Sequence, residues 1–228
     1  MTAADIGHSS SEPSRSVEIE LKFDVDDDTQ LPDWSAVPGV ASVGAPEPRE
    51  LDARYFDTAE FALAAAGYAV RRRTGGPDAG WHIKGPRIGG VRQQAGDLGR
   101  SPIERGRVEL GWPLGASADE DVPDAVRAAL AGVTDAELRH IARILNSRVA
   151  YALRSADGGL IAEFVDDRVT ATDVHNEAVR SWREWEVELG NAAPADPRPF
   201  FASVQTAVLA AGGRPAASAS KLARALGY

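Results

Sequence analysis

The sequence predicts an α+β protein built on a closed, eight-stranded antiparallel β-barrel with helices on its outside. Three observations lead there. Eight or nine segments alternate apolar and polar residues with period two, most are joined by short turns, and their polar positions hold almost only Glu, Arg and Lys. A solvated sheet face is normally diluted with Ser, Thr and Gln, so a charged face of this kind calls for an enclosed, wet interior.

Residues 1–15, rich in Ser, Ala and Pro, read as a disordered leader, which leaves 16–228 as one domain. The first strand, 17–25, opens with VEIELKF: Val17, Ile19, Leu21 and Phe23 on one face, Glu18, Glu20 and Lys22 on the other. Further strands are expected at 50–56, 68–74, 80–85, 104–112, 147–154, 159–165, 167–174 and 181–190. Thr58 caps a short helix through Ala65, and Pro123 sits in the first turn of a helix over 121–131. Thr134-x-x-Glu137 has the form of a capping box, and the spacing of Leu138, Ile141 and Leu145 predicts a helix to about Ile144 packed on the barrel's outside. Helices over 196–211, closed by Gly212-Gly213, and over 218–226 end the chain. Between the strands at 80–85 and 104–112, residues 86–102 have no period and read as a long mobile loop.

The charged faces carry the functional reading. Glu18 and Glu20 share a face, as do Glu184, Glu186 and Glu188 near the other end of the chain, and Arg71 and Arg73 in between. Like charges two residues apart repel, so something must compensate them. In an inside-out barrel, acidic pairs converge on a divalent cation such as Mg²⁺ or Mn²⁺, which takes carboxylate oxygens and keeps positions for phosphate. Glu109, on a strand with Arg105 and Arg107, is a further metal candidate. Lys22, Arg71, Arg73, Lys84, Arg107, Arg148 and Lys221 would surround a long polyanion, Arg through forked donors and Lys through point charge.

Composition narrows the alternatives. With 34 acidic against 25 basic residues, a net charge of −9 argues against a nucleic-acid duplex or an anionic membrane as partner. The absence of cysteine excludes disulfides, thiolate zinc sites and thiol nucleophiles. No signal peptide or membrane-spanning run is evident, so a cytoplasmic location is expected. His8, His82, His140 and His175 lack metal-ligand spacing and read as surface or core residues, there is no G-x-S-x-G elbow, and the five tryptophans read as core.

Glu18-x-Glu20-x-Lys22, followed in order by VRRR, HIKGP, WEVEL and SKLARAL, resembles the CYTH family of triphosphate tunnel metalloenzymes over about 17–226. The resemblance implies a tunnel that binds a linear triphosphate with Mg²⁺ or Mn²⁺. It implies that Glu18 and Glu20 hold metal with Glu186 and Glu188, that Arg71, Arg73, Lys84, Arg148 and Lys221 grip phosphates, and that Lys22 lies beside the reacting phosphate and its water. A further family acid best fits Glu163, with Asp166 and Asp167 as competitors. Asn146 stands where some members have a second basic residue, a contact that Arg143 or Arg107 would replace. FVDDRV and the closing SKLARAL look like the CYTH module that is fused to a C-terminal CHAD domain, which would make CHAD a partner. The expected activity is metal-dependent hydrolysis of a triphosphate, inorganic triphosphate first. Cyclisation of ATP in the same tunnel and non-catalytic polyphosphate binding remain rivals.

Overall fold

In the computed structural model, which describes residues 12–87, 106–115, 121–218 and 220–228, the alternating segments join one antiparallel sheet. Its strands are β1 (Ser14–Glu18), β2 (Glu20–Val25), β3 (Ser42–Val43), β4 (Glu47–Asp57), β5 (Ala69–Thr74), β6 (Gly80–Arg87), β7 (Arg107–Pro113), β8 (Arg139–Arg154), β9 (Leu160–Asp173), β10 (Ala178–Leu189) and β11 (Arg214–Pro215). The order is β1-β7-β6-β5-β4-β8-β9-β10-β2-β11, with β3 beside β8. Hydrogen bonds do not close this sheet, so the closed eight-stranded barrel is not what the ladders describe. The N-terminal segment instead divides at Ile19: β1 pairs with β7 at one edge, and β2 pairs with β10 at the other.

The apolar faces point outward into helices. Phe23 and Val25 of β2, Phe164 of β9 and Trp185 and Val187 of β10 pack with Phe200, Phe201, Val204 and Val208 of α3 (Arg198–Ala210). On the other side Val70, Trp81, Ile83 and Trp112 bury Val126 and Leu130 of α2 (Asp124–Leu130). A third cluster forms where the inner face turns apolar: Ala53, Tyr55, Ile144, Val169 and Ala171 receive Leu222 and Ala225 of α4 (Lys221–Ala225). Ser220 caps α4, its Oγ accepting from the Ala223 N–H at 3.1 Å, and Arg180 donates to the Ala225 carbonyl at 2.7 Å.

Several expectations are corrected. No helix spans 134–144. Thr134 accepts from the Ala136 N–H within a turn, and Arg139 already begins the long β8. The helix-like pattern there arises from a β-bulge: Tyr55 pairs with Ala142 and Phe56 with His140, so Ile141 is skipped and two adjacent residues, Ile141 and Ala142, are both buried. Segments 159–165 and 167–174 are one strand, β9. The helix expected from Thr58 begins later, as α1 (Ala62–Ala65): Thr58 does cap it, its Oγ1 accepting from the Ala62 N–H at 3.0 Å, and the buried Asp57 joins it by accepting from the N–H groups of Leu63 and Ala64. Ser14 and Arg15, assigned to the leader, start β1, while residues 1–11 lie outside the described residues. Of the expected loop 86–102, residues 86 and 87 extend β6 and the rest falls outside them as well.

Candidate functional site: a charged cavity inside the sheet

The inner face of the sheet encloses a cavity of about 760 Å³. Strand alternation aims the charges into it: Glu18, Glu20 and Lys22 from the N-terminal segment, Arg71 and Arg73 from β5, Lys84 from β6, Arg107 from β7, Arg148 from β8, Glu163 from β9, and Glu186 and Glu188 from β10. The capped start of α4 adds Lys221. Every site residue named from the sequence lines the cavity except Glu109, which sits one step behind, 3.2 Å from Arg71 and 3.5 Å from Lys84.

Register turns these faces into cross-strand rows. Glu20, Glu188 and Glu163 lie opposite one another on β2, β10 and β9, and Asp24, Glu184 and Asp167 form a parallel acidic row. Opposed like charges are destabilising unless a cation intervenes. For the second row the chain supplies its own cations. Lys221 Nζ lies 2.9 Å from Asp167, 2.5 Å from Glu184 and 2.7 Å from Glu186, and Arg224 Nη1 lies 2.5 Å from Asp24. Asp167, Glu184 and Glu186 are the tight buried carboxylate cluster among the described residues, a donor set with the chemistry of a metal site that here surrounds an ammonium. In the first row, Lys22 bonds Glu20 at 2.9 Å and Arg49 holds Glu163 bidentately at 2.9 and 3.0 Å. Burial and the facing Glu20 push the Glu188 carboxyl up.

Titration follows from these contacts. Burial, only partly offset by Lys84 2.5 Å away, pushes Glu18 up to about 7. Burial also opposes ionisation of Glu109, but bonds to His82 and Glu18 hold that carboxyl well below its usual range, so the pair keeps its proton on Glu18. For Lys22 the desolvation is outweighed by Glu186 and Glu20, and its ammonium is held above the usual range. Arg73 runs the other way: burial, with Arg71 and Arg148 beside it, pulls it down to about 9. A guanidinium crowded by two others in a buried wall is a site that favours an anion.

The sequence reading left one member open and missed others. Asp167, named as a competitor of Glu163, is fully buried and accepts from both forks of Arg148 at 2.7 Å, while Glu163 lines the cavity. Arg49 lines the cavity because β4 begins at Glu47, ahead of the strand start expected at 50. His82 is neither a surface residue nor an apolar-core one. It stands between the Asp78 carbonyl, 3.0 Å from Nε2, and Glu109, 2.5 Å from Nδ1. Asn146 does face the cavity, with its buried Oδ1 accepting no hydrogen bond among the described residues. Arg143 does not replace it: that side chain pairs with Asp52 outside. Arg107 reaches the cavity while donating to the carbonyls of Gly85 and Gly67.

The sequence profile of the CYTH domain matches residues 16–212. The chain belongs to the CYTH family. Two uncharacterized proteins from Mycobacterium tuberculosis strains are each 36% identical over 225 residues, covering 94% of this chain and 41% of their own length. The chain therefore spans less than half the length of the curated relatives it matches. Among solved structures, a Bacillus halodurans protein described as a candidate adenylate cyclase superposes with a TM-score of 0.59 at 17% identity, covering 92% of this chain and 97% of its own. HpAC1 from Hippeastrum, described as an adenylyl cyclase with a dominant triphosphatase activity, follows at 0.52 and 18%, covering 90% and 93%. At these identities both show that the CYTH fold is shared. No described helix is long and apolar enough to cross a membrane.

Proposed function

We propose that this CYTH domain hydrolyses a linear triphosphate, inorganic triphosphate first, with Mg²⁺ or Mn²⁺ as cofactor. One observation carries the reading: one cavity is lined by the cations Arg71, Arg73, Lys84, Arg148 and Lys22 together with the opposed carboxylates Glu20 and Glu188. A polyanion satisfies the cations and a hard cation the opposed carboxylates. The triphosphatase activity ascribed to HpAC1, a fold neighbour, points the same way.

In this reading Glu18, Glu20, Glu186 and Glu188 hold the cation, and Glu163 and Glu109 flank them. The donor set fits at Glu20 and Glu188, opposed carboxylates whose one close ion pair among the described residues is Lys22 with Glu20 at 2.9 Å, whereas Glu18 and Glu186 already meet Lys84, Lys221 and Arg148. When bound, a divalent ion supplies Lewis-acid neutralisation of phosphate oxygens. The chain's own residues do the rest. Arg71 and Arg73 fix the phosphates with forked donors and Arg148, whose fork is held by Asp167, adds its charge, which together supply the positioning and charge stabilisation that phosphoryl transfer chiefly needs. Lys22, held as an ammonium by Glu186 and Glu20, binds phosphate and does not serve as base.

The test is phosphate release from inorganic triphosphate, with ATP and thiamine triphosphate alongside, each with Mg²⁺, Mn²⁺ or chelator. Metal-dependent release supports hydrolysis. Cyclic nucleotide from ATP, or binding without turnover, would replace it with one of the rival readings. We also propose, on the resemblance of FVDDRV and SKLARAL to the fused module, a C-terminal CHAD domain of the full-length protein as partner, which limited proteolysis of that protein followed by a binding measurement between the released domains would test.

A further inference from the structure

The turn between β5 and β6 is built into the cavity. Its residues Gly75 and Gly76 take positive φ angles of 76° and 74°, and a Cβ on Gly75 would lie 1.9 Å from the Glu50 carbonyl oxygen. Only glycine lets the turn fold this closely over β4. Folded so, it brings Pro77 and Asp78 into the cavity lining. The Asp78 carboxylate forms an ion pair with Arg73, and its carbonyl is fixed by His82 at 3.0 Å. The two partners differ sharply in environment, the Arg73 side chain being 7% exposed and that of Asp78 55%. A carboxylate thus stands at a solvent-open mouth against the guanidinium where the buried cationic wall ends.

A fixed negative charge in that position acts on an anionic ligand in two ways. It competes for Arg73, and it repels any further phosphate that would extend past Arg73 toward solvent. We propose that Asp78 sets the length of polyanion the cavity accepts: it ends the cationic row at Arg73 and turns back a chain that continues beyond it, favouring a triphosphate over long-chain polyphosphate. This deepens the hydrolytic reading and rests on it. Asp78 is a specificity determinant, a residue that selects by repulsion.

The experiment compares wild type, Asp78→Asn and Asp78→Glu with inorganic triphosphate and with long-chain polyphosphate at fixed ionic strength, reading kcat/KM by phosphate release and Kd by calorimetry. Asp78→Asn removes the charge at constant shape and is expected to raise the preference for polyphosphate over triphosphate by up to about fivefold, the upper end for one solvent-exposed charge contact. Asp78→Glu keeps the charge and should hold the ratio within about twofold of wild type. An unchanged ratio in Asp78→Asn, or equal weakening of both polyanions in both variants, would reduce Asp78 to a counter-ion of Arg73 and overturn the proposal. Binding without turnover by wild type would sink the hydrolytic reading alone, since the Kd ratio still decides Asp78. Failure to bind either polyanion would overturn both.

Discussion

Replacing Lys221 with Met removes the one ammonium that three buried carboxylates share. Its Nζ lies 2.5 to 2.9 Å from oxygens of Glu184, Glu186 and Asp167, and its side chain is 13% exposed. Arg148 still contacts Asp167 and Glu186, and Lys22 still contacts Glu186, so part of the compensation survives. Methionine keeps the stem's packing beside Leu222, and the loss is therefore electrostatic. Breaking a buried pair by removing one partner costs about 3–5 kcal/mol, and with the remaining cations we expect the lower end, about 3 kcal/mol at pH 7. The pH dependence fixes the cause. Asp167 and Glu186 are held below their usual range against the burial that opposes ionisation, partly by Lys221. Depressed carboxylates contribute stability that is present above their unfolded pKa and lost as pH falls through the folded one. The ordinary values of these carboxyls are 3.8 and 4.5, so wild type keeps the contribution down to about pH 4.5 and the deficit of Lys221→Met shrinks only as pH falls from there toward about 3. Urea unfolding of both proteins at about pH 7 and about pH 3 measures this. A difference below about 1 kcal/mol at pH 7, or one as large at the acid end as at pH 7, would refute the shared-ammonium account.

Other consequences follow from the same contacts. Glu18, pushed up to about 7 by burial, must lose its proton to ligate metal, so Mg²⁺ affinity should fall by up to about tenfold per pH unit below 7, and calorimetry finding a flat affinity from pH 5.5 to 7 would contradict its role. Phe164 is fully buried among Trp34, Tyr151 and Trp185, with ring centroids 4.7 to 5.7 Å away. Its replacement by Ala should cost about 3–5 kcal/mol in chemical unfolding. By contrast the Arg143 pair with Asp52 is on the surface, and Arg143→Ala should cost under about 1 kcal/mol in the same assay.

Much of the fold was legible because a strand with two unlike faces announces itself. VEIELKF and WREWEVELG place Glu18, Glu20, Lys22, Glu186 and Glu188 on the inner face as their alternation requires, and the outer apolar residues meet α3 as expected. Where alternation broke, the reading failed for a local reason. The bulge at Ile141 sets two buried residues side by side and mimics a helical stripe, while Leu145, read as part of that stripe, is 42% exposed. Asp167 was ambiguous because either acid of the VDD pair fits a strand, and only the pairing of Asp167 with Arg148 and Glu184 sets its face. Arg49 lay just outside the strand expected at 50–56, whereas β4 begins at Glu47 and takes Pro48 into its edge. The split of the N-terminal strand at Ile19 has no sequence signal, since alternation runs through it unbroken. Closure by ladders was thus the one part of the barrel that period-two patterning could not decide.

The most direct test of the central claim, that one cavity both grips a triphosphate through its cations and acts on it through its carboxylates, is phosphate release by Glu20→Ala against wild type, with triphosphate binding measured on both. Glu20 lines the cavity and bonds Lys22 at 2.9 Å, opposite Glu188. The account predicts metal-dependent release by wild type that falls at least about a hundredfold in the variant, while metal-free binding of triphosphate to Arg71, Arg73 and Arg148 persists. Equal release by the two proteins, or release indifferent to Mg²⁺ and Mn²⁺, would contradict it.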